Sequence, residues 1–249
     1  MKDYNYTTFA EFYDDLELDK NKVKELNEVL DRAFKKFKVK TVLDLTCGTG
    51  AQVEYLSKKR YVITGSDLNK DMLDIAKKKC PDIDFHQGDM RTAKYGKFDV
   101  VITIFNSIGH LSKKDFEKAM KNISGNLNEH GVYIFDIFNL DFMKKNFINH
   151  EFMDFVKEVK DMKAVRFNNN KLDLKKGVMH INQKTFIQKG KDKLRIIKEK
   201  WDMQVYSSDE LKEMLKRNGF EVLEFLDITG KGFDKDKSIS ILTIARKVE

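Results

Sequence analysis

The sequence is poor in the residues that build cross-linked, metal-stapled or membrane-bound proteins. Its 249 residues include two cysteines, one proline and one tryptophan. No apolar run approaches the roughly 18 residues that a membrane-spanning helix needs. Cys47 and Cys80 lack any CxxC or His-rich context, which argues against a zinc site and a disulfide framework. The opening residues contain no apolar stretch typical of a secretory signal. We therefore expect a cytoplasmic protein without a structural metal.

The composition suits one well-packed domain. Hydrophobic residues make up 41% of the chain and include 19 phenylalanines, while 35% of the residues are charged. A chain of this length buries an ample core without disulfides, and this hydrophobic content argues against intrinsic disorder. We predict a single domain over residues 1–249.

The positive charge is concentrated in one part of the chain. The net charge is +7, but residues 143–200 alone contain 16 Lys and Arg against 7 Asp and Glu. The rest of the chain is slightly acidic. Two interpretations stay open for this basic segment: a solvated lysine-rich surface, or a basic face for an anionic substrate or a nucleic acid.

Up to residue 139 the sequence alternates between strand-like and helix-like segments. The strand-like segments are continuous apolar runs, whereas the helix-like segments carry apolar residues at three- and four-residue spacing. This alternation predicts βαβ units and a parallel sheet. The segments are strands over residues 40–45, 61–67, 83–87, 98–105 and 131–139, and helices over residues 51–59, 70–79 and 114–127.

Residues 140–205 break this pattern. Two alternating runs around residues 189–192 indicate an antiparallel hairpin, and a helix that ends at Gly219 follows. The last two strands are joined by a loop short enough for an antiparallel pair. The predicted fold is therefore α/β: a seven-stranded, mostly parallel sheet with an antiparallel last pair and a β-rich insertion over residues 140–205. The insertion is expected to act as a lid or a dimer element.

Acidic residues end three successive strands. Asp44 ends the first strand and precedes a turn that contains Gly48 and Gly50, while Asp67 and Asp89 end the second and third strands. Glycines in such a turn allow positive φ angles and let a ligand touch the backbone. Ligands of open α/β sheets bind beyond the carboxyl ends of the strands, where an acid can accept both hydroxyls of a ribose.

The glycine pattern discriminates between ligands. The position that matches the third glycine of G-x-G-x-x-G is Val53, and the Lys-Ser/Thr of a P-loop is missing. Asp44 would repel a phosphate but attract an ammonium group. A ligand that carries an amino group, a carboxylate, a ribose and an adenine fits the turn and the three acids, and that ligand is S-adenosylmethionine (SAM).

Four segments together resemble the class I SAM-dependent methyltransferases, which have a Rossmann-like fold. These segments are "VLDLTCGTG", "GSDLNKDMLDIAKKK", "GDMR" and "FDVVITIFNSIGHL", within a resemblance that runs over residues 6–247. The resemblance implies a set of cofactor contacts. They are Asp44, Thr46, Gly48 and Gly50 at the methionine part, Asp67, Leu68 and Met72 at the ribose, Asp89 and Met90 at the adenine, and Phe105 near the methyl donor.

Within this superfamily the sequence looks most like small-molecule enzymes: the N,N-dimethyltransferases of nucleotide-linked amino sugars and the glycine/sarcosine-like group. The opening segment "FAEFYDDL" resembles their first helix, which implies that Phe12 and Tyr13 cover SAM. The segment "KWDMQVY" is similar to a strand that precedes their last helix. Trp201 stands there where some relatives have His.

Methyl transfer from a sulfonium needs alignment, exclusion of water and a deprotonated acceptor, rather than a metal or a covalent nucleophile. His110 is the candidate general base, and a surface or capping role is its alternative. Tyr13, Phe105 and Trp201 are candidate aromatic walls for a sulfonium. The candidates for orienting an acceptor are Asp136, Asn139 and Tyr206, with His180 in the hairpin facing either pocket or solvent.

The expected function is SAM-dependent methylation of a small molecule at nitrogen or oxygen, with an amino-sugar nucleotide or a small amine favoured. The acceptor is expected to be anionic or amine-bearing, and a homodimer is possible. One alternative is an RNA or protein methyltransferase that grips its substrate with the basic insertion. The other is a SAM-binding protein without catalytic activity.

Overall fold

The computed structural model describes residues 6–248, apart from the side chains of residues 8 and 9, and it contains two β-sheets. The strands are β1 (Thr41–Asp44), β2 (Val62–Asp67), β3 (Asp84–Gln87), β4 (Phe98–Thr103), β5 (Leu127–Phe138), β6 (Phe152–Val159), β7 (Met162–Asn168), β8 (Lys171–Asp173), β9 (Val178–Lys189), β10 (Arg195–Gln204), β11 (Phe220–Leu226) and β12 (Ser240–Lys247). The helices are α1 (Tyr6–Phe9), α2 (Tyr13–Leu16), α3 (Lys20–Lys36), α4 (Ala51–Ser57), α5 (Lys70–Lys79), α6 (Lys113–Asn126), α7 (Leu140–Asn146) and α8 (Ser208–Arg217), with 3₁₀ turns over Ala10–Phe12 and Ser107–His110.

The main sheet has seven strands in the order β11-β12-β5-β4-β1-β2-β3. Strands β1 to β5 pair in parallel, while β12 runs antiparallel to both β5 and β11. The predicted α/β fold, with its mostly parallel sheet and antiparallel last pair, is therefore confirmed. The strand order reverses between β1 and β4, and such a switch point opens a crevice at the carboxyl edge of the sheet.

Helices cover both faces of the main sheet, because each has one apolar stripe. In α3 the side chains of Leu26, Leu30 and Phe34 repeat every four residues and are fully buried. Helices α3, α4 and α5 pack with the sheet into one core, and α6 and α8 pack into a second core on the other face. Within residues 6–248, none of the helices has the length and apolar character needed to span a bilayer.

The insertion forms a separate five-stranded antiparallel sheet, in the order β10-β9-β7-β6 with β8 paired to β9. The predicted hairpin is confirmed as β9 and β10, which pair from Val178–Gln204 to Ile187–Arg195. Strands β6 and β7 were not predicted individually from the sequence. A register shift between Met153 and Phe155 breaks the alternation of apolar and polar residues that identifies a strand.

The N-terminal segment, residues 6–17, packs against the second sheet. Phe12 and Leu16 share a buried cluster with Met162, Ala164 and Ile187 of that sheet. The C-terminal end of the segment is also attached to the sheet, because Lys157 Nζ donates a hydrogen bond to the Leu16 carbonyl over 2.7 Å. The segment and the inserted sheet therefore form one packed unit.

The close approach of β2 to β3 depends on Gly65. A Cβ atom at this position would lie 2.5 Å from the Phe85 ring. We expect Gly65→Ala to lower the free energy of unfolding by about 1–3 kcal/mol, because the core there has no room for a methyl group. Urea unfolding followed by circular dichroism measures this change.

Gly125→Ala is the matched control, because a Cβ atom there meets nothing within 4 Å and the residue lies in α6. Alanine in a helix should leave stability unchanged or raise it by about 0.5–1 kcal/mol. Equal stabilities for the two variants would contradict the tight packing at Gly65.

Candidate cofactor and acceptor site

A cavity of about 430 Å³ opens at the carboxyl edge of the main sheet, beside the switch point between β1 and β4. Its walls come from the ends of β1, β2, β3 and β4, from the start of α6 and from the N-terminal segment. Ten of the sequence-predicted site residues line it: Tyr13, Thr46, Gly48, Asp67, Leu68, Met72, Asp89, Met90, Phe105 and His110.

The glycine turn after β1 has the conformation that its sequence predicts. Gly48 has a φ of 52° and Gly50 a φ of 84°, values that glycine adopts without strain. Gly50 lies behind the cavity wall, where it begins α4, and a Cβ atom at this position would lie 3.2 Å from that of Ala76. The turn therefore presents Thr46, Cys47 and Gly48 to the cavity.

Asp67 joins this turn to the loop that follows β2. Its carboxylate accepts the N–H of Gly48 over 2.9 Å and the N–H of Asn69 over 2.8 Å. Burial raises the pKa of Asp67, and these backbone donors partly offset the rise. The cavity thus contains a preorganised carboxylate at the strand end where a ribose was predicted.

Asp44 lies just behind the cavity wall and is 1% exposed. One of its oxygens accepts the Thr46 N–H over 3.1 Å, while Oδ2 and the Thr46 hydroxyl are buried and have no hydrogen-bond partner among the described atoms. Burial, together with the charge of Asp67, raises the pKa of Asp44 to about 7. A cationic group beside Thr46 would favour the ionised carboxylate.

Asp89 is paired within the cavity wall. Its carboxylate accepts from Nε of Arg91 over 3.0 Å and from Nη2 over 2.6 Å, and this pairing lowers the pKa of Asp89. Arg91 also lies 3.8 Å from Asp115 at the start of α6. The predicted adenine acceptor is therefore held in place by a guanidinium, with its remaining lone pairs available to a ligand.

His110 and an unpredicted tyrosine meet in the wall of the cavity. The Tyr6 hydroxyl lies 2.8 Å from His110 Nε2, and the Tyr6 ring lies 6.0 Å from the Tyr13 ring. Burial raises the pKa of both phenols, so they stay protonated at neutral pH. Tyr6 was missed by sequence reasoning. Its spacing of seven residues from Tyr13, two helical turns, is the signal that could have identified it.

Asp136 and Tyr206 were predicted to orient an acceptor, but neither lines the cavity. Asp136 is 1% exposed and its carboxylate accepts the backbone N–H groups of Phe105 and Asn106. Tyr206 is fully buried, and its ring packs against Phe116 in the core. Sequence places both near the edge of the sheet, whereas packing turns both side chains inward.

The remaining candidates from the insertion and its flanks also lie elsewhere. Asn139 caps α7 and donates to the carbonyls of Lys235 and Ser238. Trp201 belongs to a buried cluster against α7, and His180 is exposed on β9, where Nδ1 lies 2.7 Å from Asp202. These residues stabilise the second sheet and its junction with the main sheet.

The basic insertion borders the cavity through other segments and does not line it. Among the described residues, the cavity lining includes none from 140–205. Arg166 pairs with Glu17, and Arg195 with Glu11 over 2.8 Å, while Phe12 packs on the inserted sheet rather than over the cavity. Part of the positive charge of the insertion is thus neutralised by acids of this chain.

Comparison with known proteins relates the chain to methyltransferases. A family model described as a methyltransferase domain matches residues 42–131, which contain the glycine turn, Asp67, Asp89 and His110. A crystal structure of an S-adenosylmethionine-dependent methyltransferase from Clostridium acetobutylicum superposes with a TM-score of 0.81 at 21% identity, over 98% of this chain and 99% of that chain. The chain therefore contains a region similar to a methyltransferase domain and shares the fold of this enzyme.

The more specific similarities are to amino-sugar enzymes. The dTDP-3-amino-3,4,6-trideoxy-alpha-D-glucopyranose N,N-dimethyltransferase of Streptomyces venezuelae is 36% identical over 96 residues, which are 38% of this chain and 40% of that protein. The crystal structure of Streptomyces venezuelae DesVI superposes with a TM-score of 0.78 at 20% identity, over 98% of both chains. The chain therefore matches about two fifths of the length of the N,N-dimethyltransferase named above.

The geometry of the cavity fits S-adenosylmethionine, the cofactor that the sequence predicts. The Asp67 carboxylate at the end of β2 is already oriented by a backbone hydrogen bond. Two buried polar atoms beside the glycine turn, Asp44 Oδ2 and Thr46 Oγ1, have no hydrogen-bond partner among the described atoms. The acids and the absence of a basic P-loop residue suit a cationic ligand rather than a polyphosphate.

Replacement of Asp67 tests the ribose assignment. We expect Asp67→Ala to weaken SAM binding by about 2–3 kcal/mol, near a hundredfold in Kd, because it removes a charged acceptor and releases the Gly48 N–H. Isothermal titration calorimetry measures the affinity. Asp74→Ala is the control, since Asp74 lies on the next helix in an exposed pair with Lys70. An unchanged Kd for Asp67→Ala would mean that the ribose is bound elsewhere.

The raised pKa of Asp44 predicts a pH dependence of cofactor affinity. The ammonium of SAM favours ionised Asp44, so binding lowers a pKa of about 7 and releases a proton. We expect the affinity to rise with pH up to about 7 and to level off above it. In Asp44→Asn this rise should be smaller. The same pH dependence in both proteins would exclude Asp44 as its source.

Proposed function

We propose that the protein transfers methyl groups from SAM to the amine nitrogen of a small molecule, with an amino sugar carried on a nucleotide as the preferred acceptor. The name of the Streptomyces venezuelae relative supports this acceptor class. Nitrogen is favoured over oxygen for the same reason. A macromolecular acceptor is not favoured, because the relatives with informative names act on small amino sugars.

The observation that carries the proposal is the arrangement of the cavity. The predicted cofactor contacts and the Tyr6–His110 pair line the same cavity, together with Phe105 and Tyr13. A methyltransferase needs such an arrangement, in which an acceptor faces the methyl donor inside a site that excludes water.

The residues of the chain supply positioning and proton transfer. When bound, SAM supplies a methyl group on a positively charged sulfur. Asp67 and the glycine turn hold the cofactor, and the aromatic faces of Phe105 and Tyr13 exclude water and favour a cation. His110 accepts the proton of an acceptor ammonium at Nδ1, while the Tyr6 hydroxyl, 2.8 Å from Nε2, holds the imidazole in its orientation.

The structure gives less support to an anionic acceptor than the charge distribution did. In β7 and β9 the lysines at 163 and 184 alternate with the buried residues Ala164 and Thr185, so they lie on the face of the inserted sheet turned away from the protein. The amine-bearing acceptor therefore remains the firmer part of the proposal. The homodimer, the single domain over residues 1–249 and the cytoplasmic location remain predictions from the sequence.

An acceptor screen tests the proposed function. The purified protein is incubated with SAM and either dTDP-amino sugars, small free amines, or the corresponding sugars with a hydroxyl in place of the amine. We expect S-adenosylhomocysteine and a methylated product only with amines, and fastest with the nucleotide-linked ones. Turnover with the hydroxyl compounds alone would contradict N-methylation, and background rates throughout would favour a binding protein without catalytic activity.

The role of His110 has its own signature. We expect His110→Ala to lower kcat/KM by about 10²–10⁴-fold and to remove its contribution to the acidic limb of the pH profile. His150→Ala, in an exposed loop position, serves as the control. A profile of unchanged shape in His110→Ala would exclude His110 as the base.

A further inference from the structure

We propose that Asp136 is a positioning residue for this reaction: its buried carboxylate holds the backbone of Phe105 and Asn106 in the conformation that builds the acceptor side of the cavity. The inference rests on the proposed function and adds a residue to it. Asp136 itself touches neither the cavity nor, by our proposal, the substrate.

The geometry is that of one carboxylate binding two consecutive peptide groups. Asp136 lies near the end of β5, opposite Leu242 of β12, and is 1% exposed. Its Oδ1 accepts the Phe105 N–H over 2.6 Å, and its Oδ2 accepts the Asn106 N–H over 3.2 Å. Each oxygen accepts one N–H, so Asn at this position would place an NH₂ group, which is a donor, against one of the two N–H groups.

The backbone that Asp136 holds is strained. Phe105 has a φ of 60° and Asn106 a φ of 59°, so two residues other than glycine are left-handed in succession. For Phe105 this conformation costs roughly 1–2 kcal/mol relative to the right-handed one, whereas asparagine adopts it more readily. Strain of this kind persists only where the surroundings enforce it, and it concentrates at functional sites.

This strained turn links Phe105, a predicted cofactor contact, to the 3₁₀ turn that carries His110. Phe105 lines the cavity, and Asn106 caps the 3₁₀ turn that ends at His110. The Asn106 carbonyl accepts the Gly109 N–H over 2.8 Å, which ties the start of that turn to its end. Moving Asn106 would therefore move His110 relative to the methyl donor.

Fold stability does not explain a carboxylate at this position. Burial raises the pKa of Asp136 to about 7, and the N–H groups of Phe105 and Asn106 only partly offset the rise. A buried acid whose ionised form is disfavoured lowers the stability of the folded state at neutral pH. A role in holding the cavity wall accounts for its presence there.

The test compares Asp136→Asn with a matched carboxylate at the other edge of the same sheet. Asp99 accepts the N–H groups of Lys40 and Thr41, each over 2.9 Å, far from the cavity. We expect Asp136→Asn to raise the Kd for SAM about tenfold and to lower kcat at saturating substrates by at least tenfold. Asp99→Asn should lose stability in urea while both values stay within about twofold of wild type.

Strain relief provides a second readout. Glycine adopts a positive φ even more readily than asparagine, so adding Asn106→Gly to Asp136→Asn should restore part of the lost affinity. If Asp136→Asn fails to fold, Asp136→Glu keeps the charge but displaces the carboxylate, and it should show the same tenfold rise in Kd.

Three results would overturn the inference: a wild-type Kd and kcat in Asp136→Asn, equal losses in Asp99→Asn, or no recovery in the double variant. A wild-type Kd in Asp136→Glu would do the same. The calorimetric readout needs no acceptor. A wild-type protein that binds SAM but methylates no amine would therefore refute the proposed function, while the affinities would still decide the role of Asp136.

Discussion

A carboxylate at the end of a buried strand is stable only where backbone N–H groups or cations surround it, and this constraint shapes the functional edge of the main sheet. Asp67 accepts two N–H groups and so fixes the glycine turn against the loop after β2. Asp136 accepts two more and fixes the turn after β4. Asp44 accepts only one and keeps an unpartnered oxygen beside the cavity. The cofactor cavity is the space that these three residues organise.

The two sheets contribute to the cavity in different ways. The main sheet provides the strand ends and the turns, whereas the inserted sheet holds the N-terminal segment through Phe12, Leu16 and the Glu17–Arg166 pair. That segment carries Tyr6 and Tyr13 to the cavity. The inserted sheet thus supports the site indirectly, and its many lysines do not line the cavity.

Much of the site was predictable because its residues follow strand ends directly. The position of Asp67 follows from the strand that precedes it, since the carboxyl ends of parallel strands meet at one edge. The same reasoning wrongly placed the side chains of Asp136 and Tyr206 at the site, whereas both are buried and neither lines the cavity. A strand end fixes the edge at which a side chain lies but not whether it turns toward the ligand or into the core.

The interactions that sequence reasoning missed are all long-range. Tyr6 and His110 are 104 positions apart, and Glu17 and Arg166 are 149 apart. No local pattern of apolar and polar residues encodes such a pair, because periodicity reports only neighbours within one helix or strand.

By itself, the sequence determined the parallel sheet and the glycine turn with its acids, because hydrophobic periodicity and the need for positive φ angles act within a few residues. Only the tertiary structure decided which acids face the cofactor, which one supports a strained turn from behind, and which aromatic residue meets His110. Those choices depend on burial and on contacts between distant segments, and neither exists until the chain has folded.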